Sequence, residues 1–379
     1  MTDPTPHYAA AVSLLQSLSG PHGIRASESS HANYGATFAR DAVMAGIAGL
    51  LIEDDVITSG LERTLEHLRA LQGAGGQIAS NYAFRDGEPP LVSFGTLVPR
   101  VDAALWYLIG VGLGARAGVI DASAHRDSVT LVVRMLETIE YNGRHLLYCP
   151  AGANWADEYV YEGYVLHEQV LRAWGLHLVS AAFGVPAWRE KADRIGERIS
   201  AFWPLADTER RYPLAAFTPT RVYDVFDLAS CALLATSEAR PGIGMHSLAF
   251  ASHQFLARGE LPPAFHPVID ESHADWPALA RYHLHGFRNR PHEYHNGGIW
   301  LIWLGWLGLA FARINRDDDR RTLHDLVDTH LRSLPDFAFE EYFHGQTGAP
   351  AGTKRMAYSA TGIVFLHAAQ AGRLSLLDG

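Results

Sequence analysis

The 379-residue chain is poor in cysteine, in lysine, in charge and in strand-forming runs. Two cysteines, Cys149 and Cys231, are too few for a disulfide framework or a thiolate metal site. Only Lys191 and Lys354 are lysines among 31 basic residues, the rest being arginines. That bias suits bidentate ligand recognition, although genome base composition explains it at least as well. Charged residues make up 19% of the chain, against about 25% in an ordinary soluble domain. So little solvated surface per residue suits one large compact body, and a single domain over residues 1–379 is expected. The formal net charge of -10 disfavours a nucleic-acid partner, which needs a basic surface. No long polar or like-charge block is present, which excludes intrinsic disorder. The longest apolar run, 297–312, is short of the ~20 residues needed to cross a bilayer, so no membrane partner is expected. The sequence Met1-Thr2-Asp3-Pro4-Thr5-Pro6 lacks the basic-then-apolar pattern of a signal peptide, and a cytoplasmic location is the expectation. A homo-oligomer is left open.

What is present is helical periodicity. Period-2 runs rich in Val, Ile and Thr are nearly absent, and the spacing of apolar residues predicts helices over roughly 5–18, 36–51, 59–72, 100–116, 123–140, 163–183, 186–203, 224–237, 243–257, 297–313, 317–333 and 356–372. Asp121 or Ser123 is placed to cap the fifth, Gly184 to close the sixth and Pro186 to open the seventh. The links after 51, 116, 183, 237 and 313 are short; those after 18, 72, 140, 203, 257 and 333 are long and rich in Gly, Pro, His, Tyr and Asp. Short links force antiparallel neighbours, so long and short links must emerge at opposite ends. Six hairpins alternating in this way describe an all-α (α/α)6 toroid with its long loops crowded on one rim. A solenoid is disfavoured, because no signature recurs at a fixed period.

Four segments on or beside the long loops carry unusual chemistry. In the first, from Asn33 to Asp41, adjacent Arg40 and Asp41 follow Phe38 and offer a fork donor and an acceptor for vicinal hydroxyls. The second runs from Cys149 through Asn154, Trp155, Asp157, Glu158 and Tyr159 toward Glu168 and Trp174. An Asp between Trp and Tyr is desolvated, which raises its pKa as a general acid requires; a helix cap is the alternative. The third holds His292, Glu293, Tyr294, His295, Asn296, Gly297, Gly298 and Trp300. Its spacing is not the helical His-Glu-x-x-His zinc pattern, and the paired glycines argue for a turn with close backbone approach. Sugar-hydroxyl contacts are favoured there over a metal. The fourth, Phe339 to Gly345, sets Glu340 and Glu341 beside Tyr342 ahead of Tyr358; one of these carboxylates could activate water. Arg100, Asp102 and Trp106 head the fourth helix, and Asp224 and Asp227 flank the eighth as caps. The Trp300, Trp303 and Trp306 stripe reads as core, with only Trp300 near enough to the loop to stack on a ligand.

These segments together resemble a clan of inverting glycosidases with (α/α)6 barrels: glucoamylases, the glucosidase domain of glycogen-debranching enzymes, α,α-trehalases, processing α-glucosidases and alkaline/neutral invertases. The similarity runs in order from about residue 33 to 368. Phe38-Ala39-Arg40-Asp41, with the helix to Leu71-Gln72, is similar to the invertase F-x-R-D segment ending in L-Q. Arg100 to Trp106 resembles V-D-S-G-L-W and Y-x-x-V-D-A-x-L-W. Asn154-Trp155-Ala156-Asp157 with Glu168 to Leu171 is similar to the debranching T-W-M-D and V-E-x-x-A-L pair. Tyr294 to Trp300 is close to Y-H-N-G-G-x-W, and Glu341 to Gly345 with Tyr358-Ser359-Ala360 resembles E-Y-Y-D-G and W-S-A. Two departures are Tyr358 where the pattern has Trp and His344 where it has Asp.

The resemblance implies that Asp157 is the general acid and Glu341 the base, alignment on the following Tyr favouring Glu341 over Glu340. It implies that Arg40 and Asp41 hold a non-reducing sugar. The expected sugar-binding set is Phe38, Arg40, Asp41, Arg100, Asp102, Asn154, Trp155, Glu158, Glu168, Tyr294, His295, Asn296, Trp300, Glu340, Tyr342 and Tyr358, with no metal and no cofactor. The resulting expectation is an inverting, exo-acting hydrolase of a small α-glucoside or related disaccharide. Two other classes remain: a sugar epimerase or isomerase using some of the 20 histidines as acid and base, and a non-catalytic carbohydrate-binding protein.

Overall fold

The structure is a computed structural model that describes residues 6–29, 33–95, 98–140, 143–203, 211–237, 241–281 and 286–377. Among these, the helices are α1 (Pro6–Leu18), α2 (Ala39–Ile52), α3 (Asp55–Ala70), α4 (Asp102–Arg116), α5 (Ala122–Thr138), α6 (Leu166–Phe183), α7 (Pro186–Phe202), α8 (Leu228–Thr236), α9 (Pro241–Gln254), the one-turn α10 (Trp276–Leu279), α11 (Leu301–Arg313), α12 (Asp317–Arg332) and α13 (Ala357–Gln370). Each of the twelve expected helices is present, and α10 is an addition inside the longest link. Helices α2, α4, α6, α8, α11 and α13 pack in a closed cycle, each against the next and α13 back onto α2. Outside this ring lie α3 against α2, α5 against α4 and α6, α7 against α6, α9 against α8, α12 against α11 and α13, and α1 against α13. The fold is an (α/α)6 toroid.

Composition explains which helices go inside. A helix between two neighbours and an outer layer must be apolar all round, whereas an outer helix needs one apolar stripe. In α11 every residue from Leu301 to Phe311 is buried. In the outer α12 burial is confined to Leu323, Val327 and Leu331, spaced by four on one face. Cap chemistry sets several boundaries. Asp54 accepts from the backbone N–H groups of Val56 and Ile57 and starts α3 at residue 55, four residues earlier than periodicity alone suggests. Asp121 caps α5 through Ser123 N–H at 2.9 Å, and Asp227 caps α8 through Ser230 N–H at 3.2 Å. Gly184 closes α6 in the left-handed conformation and Pro186 begins α7.

The chain is mostly helical, as expected, and its strands are few and short. The long links contain small antiparallel ladders of two- and three-residue strands. Thr37–Phe38 pairs with Asn81–Ala83 and that with Leu91–Ser93; Tyr164–Val165 pairs with Ala216–Thr218; Phe226–Asp227 pairs with Phe265–His266; Tyr342–Phe343 pairs with Pro350–Ala351. Strands this short have no readable alternation. They explain why α2, α6 and α8 begin about three residues later than predicted: Thr37–Phe38, Tyr164–Val165 and Phe226–Asp227 are spent on pairing. The ladders stiffen the loops that lead into the N-termini of inner helices, the rim where the candidate residues collect. Among the described residues, no helix is long and apolar enough to cross a membrane.

Candidate active site

A cavity of about 1000 Å³ opens on the rim formed by the long links. Of the residues singled out from sequence, Phe38, Arg40, Asp41, Arg100, Trp155, Asp157, Tyr294, Trp300, Glu341, Tyr342 and Tyr358 line it. Each lies at, or on the loop before, the N-terminus of α2, α4, α6, α11 or α13. Residues more than 300 positions apart therefore face one space because the inner helices all begin at the same end.

On one wall Arg40 spans two carboxylates, with Nε 3.0 Å from Asp41 Oδ1 and Nη1 2.9 Å from Asp102 Oδ2. This is no solvated surface pair, since the Asp41 and Asp102 side chains are 5% and 3% exposed. Burial pushes the Asp41 carboxyl above its ordinary value against the pull of Arg40. Asp102 does not reach the cavity and serves to fix Arg40. The Arg40 guanidinium lies 5.6 Å from the Tyr358 ring centroid.

On a second wall Arg100 donates from Nη2 to Asp157 Oδ2 at 2.6 Å, and from Nη1 to the carbonyls of Gly152 and Asn154. It thus clamps the acid-bearing loop at three points. Asn154 is turned inward, its Oδ1 accepting from Ala156 N–H at 3.0 Å and its Nδ2 donating to Tyr161 and to Glu168 Oε2 at 3.2 Å. Glu168 is fully buried and also accepts from His167 Nδ1 at 2.7 Å. Asn154 and Glu168 are braces behind the Asp157 loop, outside the cavity lining.

The expected rise of the Asp157 pKa is not what the structure gives. Burial does push its carboxyl up, but Arg100 foremost, together with His295 and Arg40, outweighs burial and holds it below the ordinary carboxylate value. The Trp and Tyr neighbours were legible in sequence; an arginine 57 residues away was not.

On the third wall Glu341 accepts from the Tyr34 hydroxyl at 2.7 Å on Oε1 and from Thr353 N–H at 3.2 Å on Oε2. Burial raises its pKa, over the opposing effect of those donors and of Arg288. Gly352 makes this contact feasible. Its φ is +80°, and a β-carbon there would lie 2.6 Å from Glu341 Oε2. Glu340 behaves differently from its neighbour. Its Oε2 accepts from Ala338 N–H at 2.9 Å, its Oε1 lies 3.8 Å from Lys354 Nζ, and it lines no part of the cavity.

Aromatic rings complete the enclosure. Trp300 stacks on Tyr342 and on His295, and its Nε1 donates to Tyr294 O at 2.9 Å. Gly298 lets this turn close, since a β-carbon there would meet the Tyr294 carbonyl. Trp303 and Trp306 are fully buried core. His295 is 1% exposed, packed among Trp155, Tyr294 and Trp300, with its pKa held down to about 3 by burial. It stands behind the lining. Asn296 is a loop clamp, exchanging hydrogen bonds with the Ile269 backbone at 2.7 and 2.8 Å. Glu158 is also turned from the cavity, ion-paired with Arg288. Among the described residues no group of three or more His, Cys, Asp or Glu side chains is arranged to hold a metal ion.

Sequence reading passed over Tyr34 and Arg288, both of which line the cavity. Tyr34 sits inside the first segment and could have been singled out by its place before Phe38. Arg288 carried no signal, because its role depends on partners from three other loops. The mouth adds Glu28, Ser29, Asn33, Asn81, Ser93, Lys354 and Arg355. There Arg355 pairs with Glu28 at 2.8 Å, tying the loop before α13 to the N-terminal segment.

By sequence, residues 264–371 match the alkaline and neutral invertase family. That stretch contains Tyr294, Trp300, Glu341 and Tyr358; Arg40, Arg100 and Asp157 lie outside it. No curated protein sequence matches the chain. In structure the chain is similar to a mannosylglycerate hydrolase from Thermus thermophilus in complex with glucose, with a TM-score of 0.67 and 14% identity over 95% of this chain and 99% of that one. It is similar to a bacterial glucoamylase complexed with acarbose, with a TM-score of 0.68 and 13% identity over 98% of this chain and 56% of that one. A wild-type glycosidase matches with a TM-score of 0.64 and 15% identity over 98% and 97%. The chain is thus an (α/α)6 toroid similar in fold to those glycosidases, with sequence similarity to alkaline and neutral invertases over residues 264–371.

Proposed function

We propose that the protein is a glycoside hydrolase, exo-acting and inverting, on a small α-glucoside or related glycoside. The observation that carries this is the convergence of Asp157 and Glu341, from loops 184 residues apart in sequence, on one enclosed cavity walled by Trp155, Trp300 and Tyr342. Asp157 protonates the departing glycosidic oxygen. Glu341, held as an acceptor by Tyr34 and Thr353 N–H, takes a proton from water attacking the opposite face of the sugar. Inversion needs the two carboxyl groups about 6.5–9.5 Å apart, with room for that water. The Arg40–Asp41 pair reads vicinal hydroxyls as fork donor and acceptor. No histidine lines the cavity among the described residues, so an isomerase with a histidine acid/base pair has no support there. The relatives crystallised with glucose and with acarbose support a sugar-sized site. A cytoplasmic location belongs to the same proposal, on two buried, unpaired cysteines that suit a reducing compartment.

The test is incubation with a panel of small glycosides, followed by proton NMR of the first-formed anomer. Release of the inverted anomer from at least one is expected. Release of the retained anomer would overturn the mechanism, and no hydrolysis of any glycoside would overturn the reaction class.

A further inference from the structure

We propose that Lys354 selects substrates whose leaving group carries an oxyanion, a carboxylate or a phosphate, bound at the mouth of the cavity. This rests on the reading of the cavity as the site of a glycoside hydrolase and adds the class of leaving group.

Charge is unevenly spread over the protein. The whole chain has a formal net charge of -10 and only two lysines. The cavity reverses that balance, since five cations and four carboxylates line it among the described residues, and one of the two lysines is there. Four of the cations are taken up by carboxylates. Arg40 holds Asp41 and Asp102, Arg100 holds Asp157, Arg288 holds Glu158, and Arg355 grips Glu28 at 2.8 and 3.0 Å. The fifth, Lys354, is different. Glu340 Oε1 lies 3.8 Å from its Nζ, too far for a hydrogen bond, and its side chain is 67% exposed.

Position decides what such a cation meets. In a pocket that takes the non-reducing sugar at its closed end, the leaving group lies toward solvent. Buried Trp155, Trp300 and Tyr342 wall the closed end. Lys354 stands at the open end, next to Thr353, whose N–H holds Glu341. The backbone there is fixed. Lys354 O accepts from the Ser27 hydroxyl at 2.8 Å, and Arg355 N–H donates to Ala338 O at 2.7 Å.

A fixed backbone with a flexible four-carbon stem lets an ammonium follow a charge without a set geometry. It reads negative charge as such, so carboxylate and phosphate share the site. The bidentate fit that would separate them belongs to arginine. Asn33, Asn81 and Ser93, also at the mouth, offer neutral hydrogen bonds to the rest of the leaving group.

The experiment uses three phenyl α-glucosides, substituted at the para position with a carboxylate, a phosphate or a neutral carboxamide. Initial rates give kcat/KM for each in the parent, Lys354→Gln and Lys354→Arg. The ratio of anionic to neutral substrate, compared between proteins, cancels differences in leaving-group acidity. Lys354→Gln should lower that ratio about fivefold for at least one anion, and Lys354→Arg should keep most of it. The parent's ratio should fall with added salt. The anion with the larger drop identifies the group. The same ratios are taken as Kd by calorimetry on Asp157→Asn, with and without Lys354→Gln, so the result does not depend on turnover. Ratios equal in the parent and Lys354→Gln for both anions overturn the proposal, as does a failure of all three compounds to bind. The underlying reading fails separately: Lys354-dependent binding without hydrolysis of any compound removes the reaction class and leaves the anion site.

Discussion

Arg100 and Asp157 form an ion pair, Nη2 to Oδ2 at 2.6 Å, that opposes the role assigned to the aspartate. A general acid must hold a proton, yet Arg100 favours the ionised form, while burial favours the protonated form of Glu341. Arg100 thus pulls Asp157, and burial pushes Glu341, away from the protonation states that the proposed roles require.

A pH profile follows with a definite sign. Competence is the product of Asp157 protonated and Glu341 ionised, and Asp157 has the lower pKa. The acidic break in kcat/KM then belongs to Asp157 and the alkaline break to Glu341, as apparent values of the coupled pair. Arg100→Met removes the cation that depresses Asp157, so the acidic break should move to higher pH in initial-rate measurements. An acidic break that stays put in a folded variant would take Asp157 out of that limb.

Leaving-group chemistry separates the two carboxylates. Asp157→Asn should lower turnover of an ordinary glycoside by about 10³-fold, yet spare a glycosyl fluoride, whose departing fluoride needs little protonation. Glu341→Gln should abolish both, because water activation is needed either way. Fluoride release measured for the two variants decides it. An Asp157→Asn protein fully active on unactivated substrates would end the assignment.

The Arg40 cluster, proposed above to read sugar hydroxyls, should also contribute to stability. Removing Arg40 strands two carboxylates whose side chains are only 5% and 3% exposed. Arg40→Met should therefore cost about 3 kcal/mol in guanidinium denaturation. Arg40→Lys keeps one charge but not the fork, and should recover part of the stability with little of the sugar affinity. Equal stability of the Met variant and the parent would contradict this account of the cluster.

Glu168 should act on turnover without touching substrate. It braces Asn154 and accepts from His167, whose pKa is raised by Glu168 in spite of burial. Glu168→Gln can accept from one of these partners but not keep both as they are. About a tenfold loss of kcat at unchanged KM is expected from steady-state kinetics, the usual order for a brace one shell from the chemistry. His167 also sets a pH trend. With a raised folded pKa, its stabilising contribution is complete below about pH 6.5 and is lost as pH rises through the folded value. Thermal melts of the parent and of Glu168→Gln should therefore converge on the alkaline side.

The order of helices, the alternation of short and long links and the segments bearing Arg40, Asp157, Glu341 and Trp300 were legible in the sequence. Each is a local signal. Inner helices such as α11 are apolar on every face, outer helices such as α12 on one, and an acidic residue among aromatics stands out in any linear scan. Helix starts were less legible, because Asp54 moved one by a cap and Thr37–Phe38 delayed another by pairing with Asn81–Ala83. The lining itself was mixed. Asp102, Asn154, Glu158, Glu168, His295, Asn296 and Glu340 lie behind the cavity, because residues adjacent in sequence point to different sides of a loop.

Burial periodicity and link length need no knowledge of partners, so a linear reading suffices for the ring of six hairpins and for the loops that share a rim. The opposing pulls on the Asp157 and Glu341 carboxyls, and the placing of Tyr34 and Arg288 in the cavity wall, arise only when the chain has folded. Those depend on charges brought within hydrogen-bond reach across 57, 130 or 307 residues of chain, and a pairing of that kind leaves no periodic trace along the sequence.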